Sequence, residues 1–238
     1  DGIWNFVTPA DLDGDGDMDF VAGNLGLNSE LKASSEKPLR LYVSDFDDNG
    51  RVEQLLTYFI GDQEVLFATY AEVTQQLPII KKKFLFARDF ADATIEDLIG
   101  NEKVKSADQF EVTVLENSWF ENTGNREYTR HALPQRLQFA PLRAGLVRDF
   151  DGDGAVDVML MGNFYEANVE MGRYDADYGN ILFNDRQGLS NGFVQPLHIT
   201  GQVRNLQEVI VGNARLVIIA RNNAPVQVIR LDQVRADL

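Results

Sequence analysis

The chain has 238 residues, of which 44% are hydrophobic and 25% charged, so it is long enough to bury a core as an ordinary globular protein. It has no cysteine, which excludes disulfides, zinc–thiolate sites and thiol catalysis. No run of about 18 apolar residues occurs, so we expect no insertion into a membrane. The net charge of −15 argues against nucleic acid as a partner, because phosphate binding needs clustered Lys and Arg.

The first two predicted units each consist of a strand, an acidic loop and a second strand. The strands are short apolar runs rich in β-branched and aromatic residues, and Gly or Asn follows several of them. The first unit comprises residues 5–8, 11–19 and 20–22, and the second unit comprises residues 39–43, 45–53 and 55–60.

Residues 69–108 change from strand-like to helical periodicity. Thr69-x-x-Glu72 and Thr94-x-x-Asp97 are typical of helix starts, and Leu77-Pro78 is expected to end the first helix. We interpret this segment as a helical insertion inside a single domain that spans residues 1–238.

Strand-like segments return after the insertion and continue toward the C-terminal end. Residues 110–115 are predicted to lead into a hairpin, a third acidic loop and a second hairpin follow, and a last unit has lost its acidic loop. Repeated units of this kind predict an all-β fold, a β-propeller of about four blades with a small helical insertion. These strands lie at 118–122, 128–132, 142–147, 158–161, 179–183, 193–196, 206–211, 215–220 and 226–231.

The net charge is concentrated in the three acidic loops. Segments 11–19, 45–53 and 149–157 carry −5, −3 and −4, which leaves −3 for the rest of the chain. They share the pattern Asp-x-Asp-x-Asp/Asn-Gly-x-x-Asp/Glu, with oxygen-bearing side chains at positions 1, 3, 5 and 9 and Gly at position 6. Position 7 varies freely, as expected where only its backbone carbonyl is a ligand.

Calcium takes six to eight oxygen ligands at about 2.3–2.6 Å, and alternate side chains of a tightly turning loop can converge on one ion. Carboxylates about 4–5 Å apart repel by roughly 1 kcal/mol in water and by several in a partly buried site, so four would not converge without a cation. A single motif is equally well a solvated Asp-Gly turn, but three full matches favour about three Ca²⁺ ions. The predicted ligands are Asp11, Asp13, Asp15, Asp17, Asp19, Asp45, Asp47, Asn49, Arg51, Glu53, Asp149, Asp151, Asp153, Ala155 and Asp157.

The loops are not EF-hands. An EF-hand needs a bidentate Glu at position 12 and a helix on each side, whereas position 12 holds Ala22, Leu56 and Leu160 and the flanking segments are strand-like. The predicted unit is therefore strand, calcium loop, strand.

The motif Asp-x-Asp-Gly-Asp-Gly before an apolar strand resembles the FG-GAP/VCBS repeat of integrin-α-type β-propellers. Segments 23–29, 37–47, 77–84, 172–179 and 220–223 are similar to bacterial proteins of the ASPIC/UnbV, cartilage-acidic-protein-like group, particularly those of Bacteroidetes. The resemblance spans nearly the whole chain. It implies a calcium-stabilised propeller in an extracytoplasmic protein, either secreted, periplasmic or on the cell surface. It implies calcium ligands at the loop residues already named and no ion in the fourth unit, which departs from the pattern.

Integrin-type propellers usually have seven blades, so about four units suggest a piece of a larger wheel. The chain begins at Asp1 without a signal peptide, which is what we expect of a mature form or of a segment of a longer polypeptide. An incomplete wheel would leave open blade edges that could pair with another copy.

A ligand face is predicted where strands end in asparagine, at Asn24, Asn163 and Asn222. The segments behind Asn163 are polar and aromatic, and exposed Tyr and Arg are typical of protein and glycan binding surfaces. The alternative is that these asparagines make turns and the tyrosines cap blade edges. The candidate residues are Asn163, Tyr165, Arg173, Tyr174 and Asp175.

Little in the sequence indicates catalysis. His131 and His198 stand alone, and no nucleophile elbow, phosphate loop or HExxH motif occurs. The predicted function is a calcium-binding module that binds a surface protein or glycan. The alternative is a calcium-dependent polysaccharide lyase or another carbohydrate-active enzyme on a propeller. For a lyase, Arg173 and Tyr174 are the candidate residues.

Overall fold

The computed structural model describes residues 1–91, 93–186 and 188–231. Most of the regular structure is β, and no helix among these residues is both long and apolar enough to cross a membrane. The strands, in chain order, are β1 (Phe6–Ala10), β2 (Asp19–Gly23), β3 (Leu39–Ser44), β4 (Glu53–Ile60), β5 (Gln63–Leu66), β6 (Asp108–Val112), β7 (Ser118–Asn122), β8 (Tyr128–Ala132), β9 (Leu142–Arg148), β10 (Asp157–Gly162), β11 (Asn180–Phe183), β12 (Phe193–Pro196), β13 (Val203–Val211), β14 (Ala214–Arg221) and β15 (Gln227–Arg230).

Among the described residues, the α-helices are short and all lie in one stretch of the chain, as the sequence predicts for residues 69–108. Two single 3₁₀ turns occur elsewhere, at Gln135–Gln138 and Val169–Met171. The helices are α1 (Tyr70–Gln76), α2 (Ile80–Lys83), α3 (Ala87–Ala91), α4 (Ile95–Ile99) and α5 (Asn101–Ser106).

The strands form four antiparallel sheets in two compact units. The smaller unit, residues 1–2 and 31–114, contains the sheet β5-β4-β3-β6 and all five helices. The larger unit contains the sheets β1-β2-β7-β8, β12-β11-β10-β9 and β13-β14-β15. The prediction of an all-β class is confirmed. No closed propeller is detected among the described residues, so that architecture stays a prediction.

The smaller unit lies, in sequence, between two neighbouring strands of one sheet of the larger unit. β2 pairs directly with β7, with Val21 opposite Trp119, although about a hundred residues separate them. The inserted stretch is thus a complete sheet with its helices, longer than the helical segment that the sequence indicates. The expectation that residues 110–115 lead into the β7–β8 hairpin is wrong, because β6 pairs with β3, with Phe110 opposite Leu41.

Strand β10 shows how the larger unit buries its core on both faces of a sheet. Val158, Met159, Leu160 and Met161 are all fully buried. Because successive side chains of a strand point to opposite faces, Val158 and Leu160 enter one apolar cluster and Met159 and Met161 another. A continuous apolar run is the pattern expected of such a strand.

The smaller unit has its own core, made where the helices pack on the sheet. Tyr42 and Leu55 of the sheet share one buried cluster with Ile80 and Ile95 of the helices. Both predicted helix starts are confirmed as capping boxes, at Thr69 with Glu72 and at Thr94 with Asp97. α1 ends at Gln76, directly before Leu77-Pro78 as predicted.

Candidate metal centres

Each acidic loop connects two adjacent strands of one sheet, and the strand register brings its two ends together. The residue before position 1 pairs with the residue at position 9 in all three loops. These pairs are Ala10 with Asp19, Ser44 with Glu53, and Arg148 with Asp157. The side chains at positions 1 and 9 therefore lie close together before any ion is considered.

The carboxylate at position 1 organises the turn by accepting backbone N–H groups from within the loop. Asp11 accepts from Gly14 at 2.8 Å and from Gly16 at 3.2 Å. Asp149 accepts from Gly152 at 2.6 Å and from Gly154 at 3.0 Å, in the same arrangement. In the middle loop Asp45 accepts from Asn49 at 3.0 Å and from Gly50 at 2.7 Å.

The side chains at position 5 close a second, smaller turn in each loop. The Oδ1 atoms of Asp15, Asn49 and Asp153 each accept the backbone N–H of position 7, at 2.8, 2.8 and 2.7 Å. The donors are Asp17, Arg51 and Ala155, the positions at which the sequence predicts only a carbonyl ligand. Position 7 is therefore held by its backbone, which explains why its side chain varies.

The carboxylate at position 9 is buried in every loop. Asp19, Glu53 and Asp157 are 0%, 7% and 0% exposed. One oxygen of each accepts the backbone N–H of position 2, at 2.8 Å for Asp19, 2.9 Å for Glu53 and 2.8 Å for Asp157. The pKa of Asp157 is raised to about 6, mainly by burial and to a smaller extent by the charges of Asp151 and Asp149, while its two backbone hydrogen bonds lower it. A bound cation would oppose this rise, because a nearby positive charge favours the ionised form.

Carboxylate oxygens of three residues converge in each loop, with all ligand atoms within 4.8 Å of one another. Two oxygens bound to one calcium ion at up to 2.6 Å can be at most about 5.2 Å apart, so the observed spacing fits a shared ion. In the middle loop Asp47 Oδ1 is buried and has no hydrogen-bond donor among the described residues, as expected of an oxygen that binds a cation. The three groups are Asp11, Asp13 and Asp15; Asp45, Asp47 and Glu53; and Asp149, Asp151 and Asp157.

Two positions in each loop have positive φ, whereas the sequence pattern singled out only one. At position 6 the angles are 93° for Gly16, 83° for Gly50 and 88° for Gly154. Position 4 is also left-handed, and in the middle loop it is occupied by Asp48 with φ of 59°. This non-glycine residue is accommodated because Asp tolerates the left-handed region better than most residues.

Two asparagines that the sequence analysis missed hold the buried carboxylates from the neighbouring strand. The backbone N–H of Asn122 donates to Asp19 Oδ1 at 2.7 Å, and that of Asn184 donates to Asp157 Oδ1 at 2.9 Å. The side chain of Asn184 also donates to the carbonyl oxygens of Leu12 and Val156. The sequence carries a weak signal for them, since each asparagine lies at or directly after the end of a strand and a glycine follows within a few residues.

The predicted ligand face divides into buried and accessible residues. Asn163 is buried, and its side chain bonds the backbone of Asp177 and Gly201. Tyr174 is buried too, and its hydroxyl lies 2.7 Å from Ser29 Oγ. Both therefore serve the fold. The accessible members are Tyr165, Arg173 and Asp175: the Arg173 guanidinium lies 3.7 Å from the Tyr165 ring centroid and 3.5 Å from Asp175.

The two histidines have different surroundings. His131 stacks on Trp119 with 4.7 Å between ring centroids, and its Nε2 lies 2.7 Å from Glu121 Oε2. His198 is exposed, with φ of 55°.

No protein-family model, curated protein or solved structure matches the chain. The function is therefore argued from the chain's own residues.

Proposed function

We propose that this protein is a calcium-binding module of the β-propeller type, similar to FG-GAP/VCBS proteins, in which three structural ions hold the acidic loops. The observation that carries the proposal is the convergence of three carboxylates to within 4.8 Å in each of three loops built to one plan. In the middle and third loops one of the three is the buried carboxylate at position 9, and in the first loop the buried Asp19 is a fourth carboxylate. All three buried carboxylates are anchored by backbone N–H groups.

The chemistry of the donors favours calcium over other cations. The three clusters contain only carboxylate ligands, and hard oxygen ligands suit calcium, magnesium and manganese rather than zinc or copper. Magnesium demands near-ideal octahedral geometry and keeps several waters, whereas calcium accepts many protein oxygens in flexible arrangements. These loops offer side-chain oxygens at positions 1, 3, 5 and 9 and a backbone oxygen at position 7, which fits the flexible coordination of calcium.

The proposed setting is extracytoplasmic. Extracellular calcium modules work with Kd values of about 10⁻⁴–10⁻³ M, which an exposed loop of this type can provide. Within the larger unit, the three antiparallel sheets and the position of β9 between β1 and β13 support blades arranged side by side. The proposed role is to bind a surface protein or glycan, with open blade edges available for association.

Thermal unfolding tests the structural role of calcium. Calcium at about 100 times its Kd stabilises the folded state by about 2.7 kcal/mol per site, and each kcal/mol raises Tm by about 2–4 °C in a chain of this size. We expect Tm to rise with added Ca²⁺, to fall again with EGTA, and to respond much less to Mg²⁺.

Single substitutions assign the effect to the loops. Asp13→Asn, Asp47→Asn and Asp151→Asn should each reduce the calcium-dependent rise in Tm. Asp62→Asn is the matched control, because Asp62 is an exposed carboxylate outside the loops. An equal rise in all four variants, or no rise in the wild-type protein, would contradict the proposal.

A further inference from the structure

Arg143, the second residue of β9, is a partly buried arginine without a salt bridge to any of the described residues. No carboxylate of the described residues lies within ion-pair distance of its guanidinium, and its Nε is buried without a hydrogen-bond partner. An unpaired arginine in a partly buried position is unfavourable, because its charge is desolvated without compensation. Such a residue is suited to an anion that comes from outside the chain.

The middle repeat has an arginine at the equivalent position, Arg40, and there the charge is neutralised by carboxylates. Arg40 is likewise the second residue of the strand that leads into an acidic loop, and it also follows a Pro-Leu pair. Its guanidinium lies 2.5 Å from Glu64 and 2.8 Å from Glu111, so two carboxylates of its own sheet satisfy it. The third repeat has an arginine at the same position, Arg143, but it lacks the two acidic partners that Arg40 has.

A second arginine packs against the same aromatic ring as Arg143. The guanidinium carbons of Arg143 and Arg204 are 4.7 and 6.0 Å from the centroid of the Phe164 ring. Arg204 belongs to β13, which is adjacent to β9, and the ion pair of Arg148 with Glu208 at 2.6 Å also joins these two strands. Both guanidinium groups thus pack against one ring. The pKa of Arg143 is lowered by its burial and by the charge of Arg204, and the charge of Glu166 opposes this shift.

The rim of this arginine pair is polar and already fixed in position. Glu166 lies 3.6 Å from Arg204 and accepts hydrogen bonds from Gln202 at 2.6 Å and from Asn222 at 2.7 Å. The Glu166 side chain is about half exposed, so its remaining lone pairs can accept from a ligand. The backbone of Phe164 is bonded in both directions to Tyr174, at 2.9 and 3.0 Å, which holds the ring in place.

We propose that the arginine pair, Arg143 and Arg204, binds the carboxylate of an acidic sugar, a uronic acid residue, at the end of the larger unit's sheets away from the metal loops. Guanidinium groups bind carboxylates through two parallel hydrogen bonds, which supplies both strength and orientation. The nearby Glu166 favours a sugar over an acidic peptide, since a uronic acid has hydroxyl donors for Glu166 beside its single carboxylate. Glu166 repels the carboxylate of either ligand, but only the sugar carries hydroxyl donors next to its carboxylate that can offset this repulsion.

The arginine pair is separate from the third acidic loop along β9. Arg143 lies near the start of this strand and Asp149 directly follows its end, a separation of about 20 Å for six extended residues. The inference deepens the binding role proposed above and rests on it, but it does not require calcium at the arginine pair. The two claims can therefore fail separately.

The test is a titration followed by the ¹⁵N–¹H resonance of the arginine Nε groups in the calcium-loaded protein. The probe is methyl galacturonide, and its matched control is methyl galactoside, which has a hydroxymethyl group in place of the carboxylate. We expect the Arg143 resonance to shift saturably with the galacturonide through the millimolar range and to stay unchanged with the galactoside. No shift with the galacturonide, or equal shifts with both sugars, would overturn the proposal.

Variants and a peptide probe complete the test. Arg143→Gln and Arg204→Gln should each weaken galacturonide binding about tenfold or more, because each removes a charge-assisted pair of hydrogen bonds. Arg40→Gln, the matched control, should leave the affinity unchanged. Undiminished binding in Arg143→Gln would overturn the proposal, and tighter binding of an N-acetylglutamate amide would overturn the choice of a sugar.

Tm with and without Ca²⁺ is measured in parallel, so that a missing calcium response counts against the metal sites alone.

Discussion

At the scale of single residues, Asp157 shows why the loops need both the fold and a cation. Its two oxygens accept N–H groups from Phe150 and from Asn184, so the buried carboxylate is hydrogen-bonded without any metal. Burial nevertheless raises its pKa to about 6, which shows that these bonds do not fully compensate for desolvation. A divalent cation would supply the missing compensation.

The different roles of positions 5 and 9 predict different costs for the same substitution. Asp157→Asn replaces an acceptor with an NH₂ group facing an N–H donor, which leaves a buried group unsatisfied and should cost about 1–3 kcal/mol in EGTA. Asp153→Asn keeps the Oδ1 that accepts from Ala155 and is exposed, so it should change the free energy of unfolding by less than about 0.5 kcal/mol. Urea unfolding measures both, and equal costs would contradict the assigned roles.

Residue identities that repeat with the loop could be predicted, and residues contributed by other strands could not. Positions 1, 3, 5 and 9 were found because their spacing recurs three times. Asn122 and Asn184 were missed because they act through their backbone N–H groups from a strand that follows each loop by many residues. The unpaired state of Arg143 could not be read from the sequence at all, because the sequence does not show which carboxylates surround an arginine.

At the scale of elements, the loops depend on backbone conformations that glycine provides. Gly16 has φ of 93°, and a Cβ built on it would meet no atom within 4 Å. Any cost of adding a side chain there is therefore conformational rather than a clash.

Gly16→Ala therefore tests the loop conformation without introducing a steric clash. The left-handed backbone costs an L-residue about 1–2 kcal/mol, so the variant should lose that much stability and bind calcium more weakly in its loop. Met18→Ala is the control, because Met18 lies in the same loop with an exposed side chain and without positive φ. Calorimetric unfolding with and without Ca²⁺ measures both variants, and a Gly16→Ala protein as stable as Met18→Ala would contradict the loop geometry.

Element type was more predictable than element pairing. The apolar alternation located most strands and the capping boxes located two helices, because these signals are local. β5 was not predicted, since the sequence of Gln63–Leu66 shows only weak alternation. The pairing of β6 with β3 and of β2 with β7 depends on long-range contacts, and local periodicity contains no information about the partner strand.

At the scale of the whole molecule, the acidity has a local origin. The charge of −15 belongs mostly to three loops, one in the smaller unit and two in the larger unit. Three divalent ions would change it to −9 and the charge of the three loops from −12 to −6, so the repulsion among the loop carboxylates would decrease. The arginine pair at the other end of the larger unit's sheets gives that unit an anion-binding position within an acidic protein.

The most direct test of three calcium-bearing loops is a crystal structure of the calcium-loaded protein with the anomalous signal of the ion recorded. The account predicts one anomalous peak in each loop, surrounded by carboxylate oxygens at about 2.3–2.6 Å, with the fourth unit free of ions. Loops that hold only water at millimolar calcium, with no anomalous peak, would contradict it.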